Sequence, residues 1–297
     1  MIEARISRPL YGVFWMLATG LVFVAVTALV KSLGTALPAS EAAFLRFALG
    51  LVLLLPLLKK FSRLKITATQ WKLFLLRGAI HSVGVAFWFF AMARIPLADV
   101  TAMNYLSPIL ITIGAAIFLG EKLHVRRIGA VIAGLIGALI ILRPGLREIG
   151  AGHLAMLATA SCFAASYMIS KRLSDDSDPA LIVAMLSVTV TIGLAPMALP
   201  VWVAPDLTQL VTLFAVAVLA TAGHLFMTLA FKEAPMTVTQ PVTFLQLVWS
   251  VLVGALVFHE AVDPFVILGG VLILSAVSFI TWREAVLKRR EITPPAV

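Results

Sequence analysis

Long runs of apolar residues, separated by short polar segments, are the dominant pattern of this chain. Each run is about as long as the roughly 20 residues that an α-helix needs to cross a lipid bilayer. The polar segments contain proline, glycine or charged residues, which commonly end helices. The pattern predicts ten helical spans, at residues 10–33, 38–58, 71–93, 97–118, 125–142, 150–172, 179–201, 208–231, 236–258 and 263–282.

The composition agrees with an all-α integral membrane protein. Of 297 residues, 61% are hydrophobic and 12% are charged, and the mean hydropathy is +1.06. Ten spans leave almost no chain for a domain outside the membrane, which excludes a soluble catalytic domain. The first apolar run is longer than that of a cleaved signal peptide. With one cysteine, Cys162, and no zinc-ligand spacing, the sequence predicts neither a metal nor another cofactor.

The two halves of the sequence resemble each other. With a shift of 140, residues 12–33 match residues 152–173 at 9 of 22 positions without a gap. A shift of 139 aligns residues of the third and fourth spans and their connections with those of the eighth and ninth: Gly84 with Gly223, Pro96 with Pro235 and Glu121 with Glu260. The chain is therefore predicted to contain an internal repeat.

Because each repeat has five spans, the second repeat must enter the membrane from the opposite side. Many secondary transporters have such inverted repeats and bind their substrate between them, near the bilayer midplane. The predicted repeats are residues 10–142 and 150–282, followed by a basic cytoplasmic tail at 283–297. A cytoplasmic N-terminus places 17 of the 23 basic residues in cytoplasmic segments and 4 in outer ones, which predicts that both termini are cytoplasmic. The net charge of +9 is thus a topology signal, and no nucleic-acid partner is expected.

Polar residues within the spans are the candidate site, since an ionisable side chain in the bilayer is costly unless it is paired or hydrated. Arg46 lies about 12 Å into the second span, at 1.5 Å per residue. Arg77 and His81 lie four residues apart, on one face of the third. Other polar and aromatic residues of the spans complete the predicted substrate-binding set, which is Arg46, Arg77, His81, Trp88, Asn104, Tyr105, Ser107, Tyr167, His224, Gln246 and Trp249.

Each candidate also has a purely structural interpretation. Arg46 could pair with Glu41, Arg77 could extend to the nearer membrane surface, and the histidines and aromatic residues could be packing residues. Glu41 and Asp99 lie in the first turns of their helices, where a carboxylate stabilises the helix N-terminus. Glu41, His81 and Asp99 are also the candidate proton-coupling residues.

Three long stretches resemble the EamA family of the drug/metabolite transporter superfamily. They are SEAAFLRFALGLVLLLP (40–56), LADVTAMNYLSPILITIGAAIFLGEKL (97–123) and VTQPVTFLQLVWSVLVGALVFHE (238–260). The similarity covers nearly the whole chain. Within it, LRFALG with Arg46, LRG with Arg77 and GEKL at 120–123 are most similar to bacterial S-adenosylmethionine uptake transporters.

The resemblance implies a bacterial inner-membrane carrier, monomeric or homodimeric, that moves a metabolite through a central cavity by alternating access. It implies transport rather than enzymatic activity. Relatives handle S-adenosylmethionine, riboflavin, amino acids for export and metabolites derived from amino acids, including metal chelators. Glu121 and Glu260 are expected to cap the helices that follow them, although His259 stands where the first half has Gly120.

The leading hypothesis is a secondary carrier of a small zwitterionic or carboxylate-bearing metabolite, similar to S-adenosylmethionine or an amino acid. Arg46, Arg77 and His81 would bind its anionic group, and Glu41 or Asp99 could meet an amino group. Riboflavin transport and the export of amino acids or their derivatives are the alternatives. The expected partners are the substrate, membrane lipid and, as a coupling ion, protons.

Two other classes of protein are less consistent with the sequence. An intramembrane enzyme is a remote alternative, because His259-Glu260 lacks the second histidine of an H-E-x-x-H motif. A channel is disfavoured because no repeated filter motif or ring of charges is evident.

Overall fold

The computed structural model describes residues 9–61, 66–119, 125–146, 148–174, 177, 179–233 and 236–292. Within these ranges the chain is almost entirely helical. The α-helices are α1 (Pro9–Ser32), α2 (Ala39–Phe61), α3 (Ala68–Met92), α4 (Leu97–Asn104), α5 (Leu106–Leu119), α6 (Val125–Leu142), α7 (Ala151–Ser174), α8 (Pro179–Ala198), α9 (Leu207–Glu233), α10 (Met236–Val257) and α11 (Pro264–Ile292), with one 3₁₀ turn at Leu199–Val201.

Many of these helices are suited to a lipid environment. Six segments of the described residues are long and apolar enough to cross a membrane: Leu10–Ser32, Ala68–Met92, Leu97–Gly114, Ala151–Ser170, Leu181–Val201 and Leu207–Met227. Large apolar side chains also remain exposed along many helices, as expected of surfaces that face lipid rather than water. The prediction of an all-α multi-pass membrane protein is confirmed.

The fourth predicted span, residues 97–118, is not one helix. It is broken at Tyr105, where α4 ends and α5 begins at the next residue. Pro108 explains the break, because proline has no N–H to donate to the carbonyl of Asn104, four residues earlier. In α10, the repeat-equivalent helix, Leu247 replaces Pro108 and the helix is continuous. The fourth predicted span is therefore formed by two helices, and Leu97–Gly114 is still long and apolar enough to cross a membrane.

Two predicted boundaries also differ from the structure. The third span begins at Ala68 rather than at 71, because Thr67 and Gln70 form a capping box: Gln70 N–H donates to Thr67 Oγ1 over 3.2 Å, and Thr67 N–H donates to Gln70 Oε1 over 2.8 Å. At the other end of the chain, α11 continues to Ile292, so most of the predicted basic tail is helical. Residues 293–297 of that tail lie outside the described residues.

Helices of the first half pack mainly on helices of the second half. α1 packs on α9 and α10, α2 on α8 and α9, α3 on α7 and α8, and α6 on α11. Glycines permit the closest approaches: a Cβ at Gly84 of α3 would lie 2.8 Å from Cys162 Cβ of α7, and one at Gly137 of α6 would lie 2.7 Å from the Gly269 carbonyl of α11. The interior of the bundle is therefore formed by both halves.

Candidate functional site

Arg77 points into the bundle. Its side chain is buried on α3, and its Nη1 donates to the Ile182 carbonyl of α8 over 3.3 Å. Its Nε donates to Ser166 Oγ of α7 over 3.4 Å. The guanidinium therefore lies between the two halves.

His81 lies one turn further along α3, on the same face as Arg77, as its spacing predicts. Its Nδ1 lies 3.1 Å from Ser166 Oγ, so one hydroxyl contacts both residues. The imidazole ring also stacks on Phe163 of α7, with ring centroids 4.8 Å apart and planes inclined by 21°. Both contacts come from α7, and they hold the ring in the interface between α3 and α7.

Arg46 completes a cluster of basic side chains. Its guanidinium lies 4.0 Å from the centre of the Phe47 ring and forms no hydrogen bond or ion pair with any residue in the described ranges. The proposed pair with Glu41 is therefore not formed. Arg46 and Arg77 are both close enough to His81 and His224 to interact with them electrostatically. Residues of α2, α3 and α9 thus contribute to one positively charged region.

Several of these side chains are accessible rather than buried in the packed core. Tyr167 interacts electrostatically with Arg77 and exposes 44% of its surface. His224 is exposed, and Arg46 is partly exposed. Accessible basic side chains are suited to binding a ligand that carries acceptor atoms.

The predicted residues of α4, α5 and α10 lie around the helix break. Thr101 of α4 and Ser250 of α10 share a hydrogen bond of 2.7 Å, and the Tyr105 side chain is hydrogen-bonded to the backbone of Leu247. Buried polar atoms without a partner typically cost about 1–3 kcal/mol each, so they mark positions where a ligand or water can bind. Three such atoms lie here, in predicted site residues: Asn104 Oδ1, Ser107 Oγ and Trp249 Nε1.

Gln246 and Trp88 complete the predicted set, and their environments differ. The Cβ of Gln246 lies 3.8 Å from the position that a Cβ on Gly20 of α1 would occupy, so Gln246 lies at the contact of α10 with α1. Trp88 packs on the hydrophobic core, in an edge contact with Phe89 at 5.5 Å. Packing therefore accounts for Trp88.

Glu41 and Asp99 lie away from this cluster, at the end of the bundle where α1 finishes and α2 begins. We call this the tied end, because side chains of one half bind the other half there. Four contacts do so: Lys31 Nζ to Glu260 Oε1 (2.7 Å), Asp99 Oδ2 to His153 Nε2 (3.0 Å), Val203 N–H to Glu41 Oε2 (2.9 Å), and Arg143 to Asp263.

Glu260 does not cap the helix that follows it. Its Oε2 accepts a hydrogen bond of 2.9 Å from the backbone N–H of Leu97, at the start of α4 in the other half. Lys31 Nζ, which forms the ion pair with Glu260 Oε1, also donates to the Ile95 carbonyl over 2.8 Å. The expectation for Glu260 was therefore wrong, and Glu121 lies outside the described residues.

Sequence reasoning did not identify His153 or Phe163 as site residues. His153 is buried against Asp99, and only its three-dimensional neighbour distinguishes it from a helix-end histidine. The sequence carried one signal for Phe163, which aligns with Phe23 in the repeat. In the structure, Phe23 contacts His224 with ring centroids 5.3 Å apart, as Phe163 contacts His81. No group of three or more His, Cys, Asp or Glu residues able to bind a metal ion occurs in the described part of the chain.

Comparison with known proteins identifies transporters. Residues 10–143 and residues 150–282 each match the EamA-like transporter family. A riboflavin transporter of Rhizobium johnstonii is 33% identical, over 97% of this chain and 95% of that protein. An S-adenosylmethionine uptake transporter of Rickettsia bellii is 27% identical, over 92% and 94%. A pseudopaline exporter of Pseudomonas aeruginosa is 28% identical, over 89% and 94%.

Proposed function

The chain belongs to the EamA-like transporter family, and from this premise we propose that it is a secondary carrier that moves a small acceptor-rich metabolite by alternating access. The family and the relatives support a multi-pass transporter of the bacterial inner membrane. The substrate, its site and the transport cycle are the parts proposed here.

The proposed architecture is ten spans in two inverted five-helix repeats, with α4 and α5 together forming the fourth span. The helix contacts support it, because they keep the same pattern when the halves are exchanged. Exchanging α1 for α7 and α3 for α9 converts the contact of α1 with α9 into that of α7 with α3. The contacts of α2 with α8 and of α6 with α11 each convert into themselves. Such symmetry allows two related conformations, one open to each side.

The charge asymmetry of the connecting segments favours cytoplasmic termini. In that orientation the tied end faces the periplasm, where Lys31, Asp99 and Glu41 join the halves to Glu260, His153 and the Val203 backbone. The described conformation is then the one closed to the periplasm. The polar contacts of the tied end must break for the carrier to open outward.

The cluster of basic side chains is the observation that carries the substrate assignment. Arg46, Arg77, His81 and His224 come together from three helices, and the hydrogen-bond partners of Arg77 and His81 are the Ser166 hydroxyl and the Ile182 carbonyl. Guanidinium groups donate hydrogen bonds and accept none. The site therefore favours a carboxylate or a carbonyl-rich group over a cationic one, and a carboxylate-bearing metabolite is our first candidate.

A zwitterionic substrate finds less support than its sequence hypothesis suggested. The sequence hypothesis expected Glu41 or Asp99 to bind its amino group. Both carboxylates already have partners at the tied end: Glu41 accepts the Val203 N–H, and Asp99 is hydrogen-bonded to His153. A substrate such as S-adenosylmethionine would need its amino and sulfonium groups to contact neutral acceptors, of which Asn104 Oδ1 and Ser107 Oγ are the available buried ones.

Riboflavin is the second candidate, and two observations favour it. Its ring carbonyls accept hydrogen bonds from donors such as Arg77 and His81, and Phe163, Tyr167 and Trp249 offer flat surfaces for a ring system. Identity to the riboflavin transporter, at 33%, also exceeds the 27% and 28% of the other two relatives.

Uptake into proteoliposomes tests both candidates. Purified protein is reconstituted, and initial rates are measured for radiolabelled riboflavin, S-adenosylmethionine, a panel of labelled amino acids and a labelled organic cation without a carboxylate, each with excess unlabelled competitors. Saturable uptake of at least one compound, competed by its unlabelled form, supports the carrier. Saturable uptake of a purely cationic compound, with no effect of carboxylates or riboflavin, would contradict the substrate assignment.

A further inference from the structure

Ser166 is a fully buried residue of α7, and its hydroxyl contacts two residues that are candidates for binding the substrate. Its Oγ lies 3.1 Å from His81 Nδ1 and 3.4 Å from Arg77 Nε. Both ligands belong to α3, in the other half of the chain. One hydroxyl therefore fixes an imidazole and a guanidinium across the interface between the halves.

The chemistry of these three groups determines where the hydrogen atoms lie. A guanidinium N–H can only donate, so Arg77 occupies a lone pair of Ser166 Oγ. The hydroxyl has one hydrogen to donate, and His81 Nδ1 is the one acceptor that it contacts among the described residues. Donation to Nδ1 satisfies this buried hydrogen, whereas acceptance from an Nδ1–H would leave it without a bond, so we take the hydroxyl as the donor. An Nδ1 that accepts a hydrogen bond carries no proton, so the proton of the neutral ring is on Nε2.

Ser166 differs in this respect from other hydroxyl residues of the spans. On the same helix, Ser161 donates to the carbonyl of Leu157, four residues earlier, over 2.9 Å. Thr19, Ser82 and Thr189 likewise donate to carbonyls four residues earlier. Such backbone bonding is the usual alternative for a helical hydroxyl. The Ser166 hydroxyl is instead directed at His81, across to the other half.

The surrounding packing supports a fixed imidazole. Phe163, one turn before Ser166, stacks on the His81 ring at 4.8 Å. Because Gly84 has no side chain, α7 packs closely against α3 next to His81. Thr159 Oγ1 of α7 donates to the Gly84 carbonyl over 3.2 Å. The other ring nitrogen, Nε2, contacts no hydrogen-bond partner in the described residues. The titratable and charged groups that interact electrostatically with the His81 ring are Arg46, Arg77 and His224.

We propose that Ser166 is a positioning residue that holds His81 with its N–H on Nε2, as a hydrogen-bond donor to the substrate, and orients Arg77 beside it. This inference rests on the proposed substrate site. Arg77 and His81 then present only hydrogen-bond donors to the substrate. The site therefore favours a substrate that has two neighbouring acceptor atoms. In this arrangement His81 serves substrate binding, and the proton-coupling role is left to other residues.

The first test reads the tautomer directly and needs no substrate. Protein with ¹⁵N-labelled histidine rings is reconstituted in nanodiscs, and the His81 signals are assigned by comparison with His81→Gln. We expect the ¹⁵N shifts of a ring protonated on Nε2 in the wild type and in Ser166→Thr, and a mixture of both tautomers in Ser166→Ala. A wild-type ring protonated on Nδ1 would overturn the proposal, as would an unchanged tautomer in Ser166→Ala.

The second test measures the kinetics of uptake, with riboflavin or whichever compound the proteoliposome panel identifies. Ser166→Ala is expected to raise KM about tenfold with Vmax within about twofold, and Ser166→Thr is expected to restore KM. Ser161→Ala is the matched control, because its hydroxyl bonds only its own helix. A lower Vmax with unchanged KM in Ser166→Ala would contradict positioning.

The two tests separate the two proposals. If no compound is transported, the substrate site fails while the tautomer measurement still decides the role of Ser166. If Ser166→Ala does not fold, the wild-type and Ser166→Thr tautomers still support or overturn the assignment.

Discussion

Lys31 and Glu260, which lie 229 positions apart in opposite halves of the chain, form an ion pair with Nζ and Oε1 2.7 Å apart. Both side chains are largely buried, and Glu260 also accepts the Leu97 backbone N–H. The pair therefore stabilises the closed tied end through two charge-assisted hydrogen bonds.

Glu260→Gln should weaken this closure. Losing the charge is expected to destabilise the closed form by about 1–2 kcal/mol, which corresponds to about a tenfold change in the ratio of closed to open protein. The measurement is the rate at which an impermeant thiol reagent, added to the periplasmic side, labels Tyr167→Cys in a Cys162→Ala background. We expect labelling to become about tenfold faster. Glu148→Gln is the control, since Glu148 is exposed in the connection between α6 and α7, and equal rates for both variants would contradict the closure role.

The buried Asp99 and His153 pair should show coupled stability. The two side chains are hydrogen-bonded to each other, so the effects of Asp99→Asn and His153→Ala should not be additive. Thermal unfolding of the two single variants and the double variant in detergent is expected to give a coupling energy of about 1–3 kcal/mol. Additive effects within about 0.3 kcal/mol would mean that the pair contributes nothing to the tied end.

Pro108→Ala should restore the continuous fourth span. It returns the N–H that can bond to the Asn104 carbonyl, which should stabilise the helix by up to about 3 kcal/mol. Because the break places Asn104 and Ser107 at the predicted site, we expect a slower initial rate of uptake with an unchanged or higher melting temperature. The result that would contradict this account is full transport activity in a variant whose helix is shown to be continuous.

Gly84→Ala should separate α3 from α7. The added Cβ would lie 2.8 Å from Cys162 Cβ, and such overpacking typically costs about 1–3 kcal/mol. We expect a lower melting temperature and weaker substrate binding, because His81 loses its contact with Phe163. Gly129→Ala is the control, since nothing lies within 4 Å of the Cβ position there. Similar melting temperatures for both variants would show that the close approach is not required.

The sequence predicted the fold better than it predicted contacts. Apolar runs of membrane-spanning length and an aligned repeat are local or periodic signals, so helices and their approximate bounds could be predicted. The shared face of Arg77 and His81 followed from spacing alone.

The partners of the polar side chains could not be predicted, because they come from the other half of the chain. Glu260 binds Leu97, Asp99 binds His153, and Ser166 joins Arg77 to His81, across sequence separations of 163, 54, 89 and 85 residues. The break at Tyr105 was predictable in principle from Pro108, but a proline inside a membrane helix is often tolerated.

The central claim is that Arg46 and its neighbours bind the substrate. The most direct test is to measure how the initial rate of uptake depends on substrate concentration in Arg46 variants. Initial rates in proteoliposomes are measured for the wild type, Arg46→Ala, Arg46→Lys and Arg94→Ala, with melting temperatures as a check of folding. Arg94 is the matched control, because its guanidinium is exposed and stacks on Phe90, 3.6 Å from the ring centre. The account predicts at least a tenfold loss of kcat/KM in folded Arg46→Ala, partial recovery in Arg46→Lys and no change in Arg94→Ala. Wild-type kinetics in a folded Arg46→Ala would contradict it.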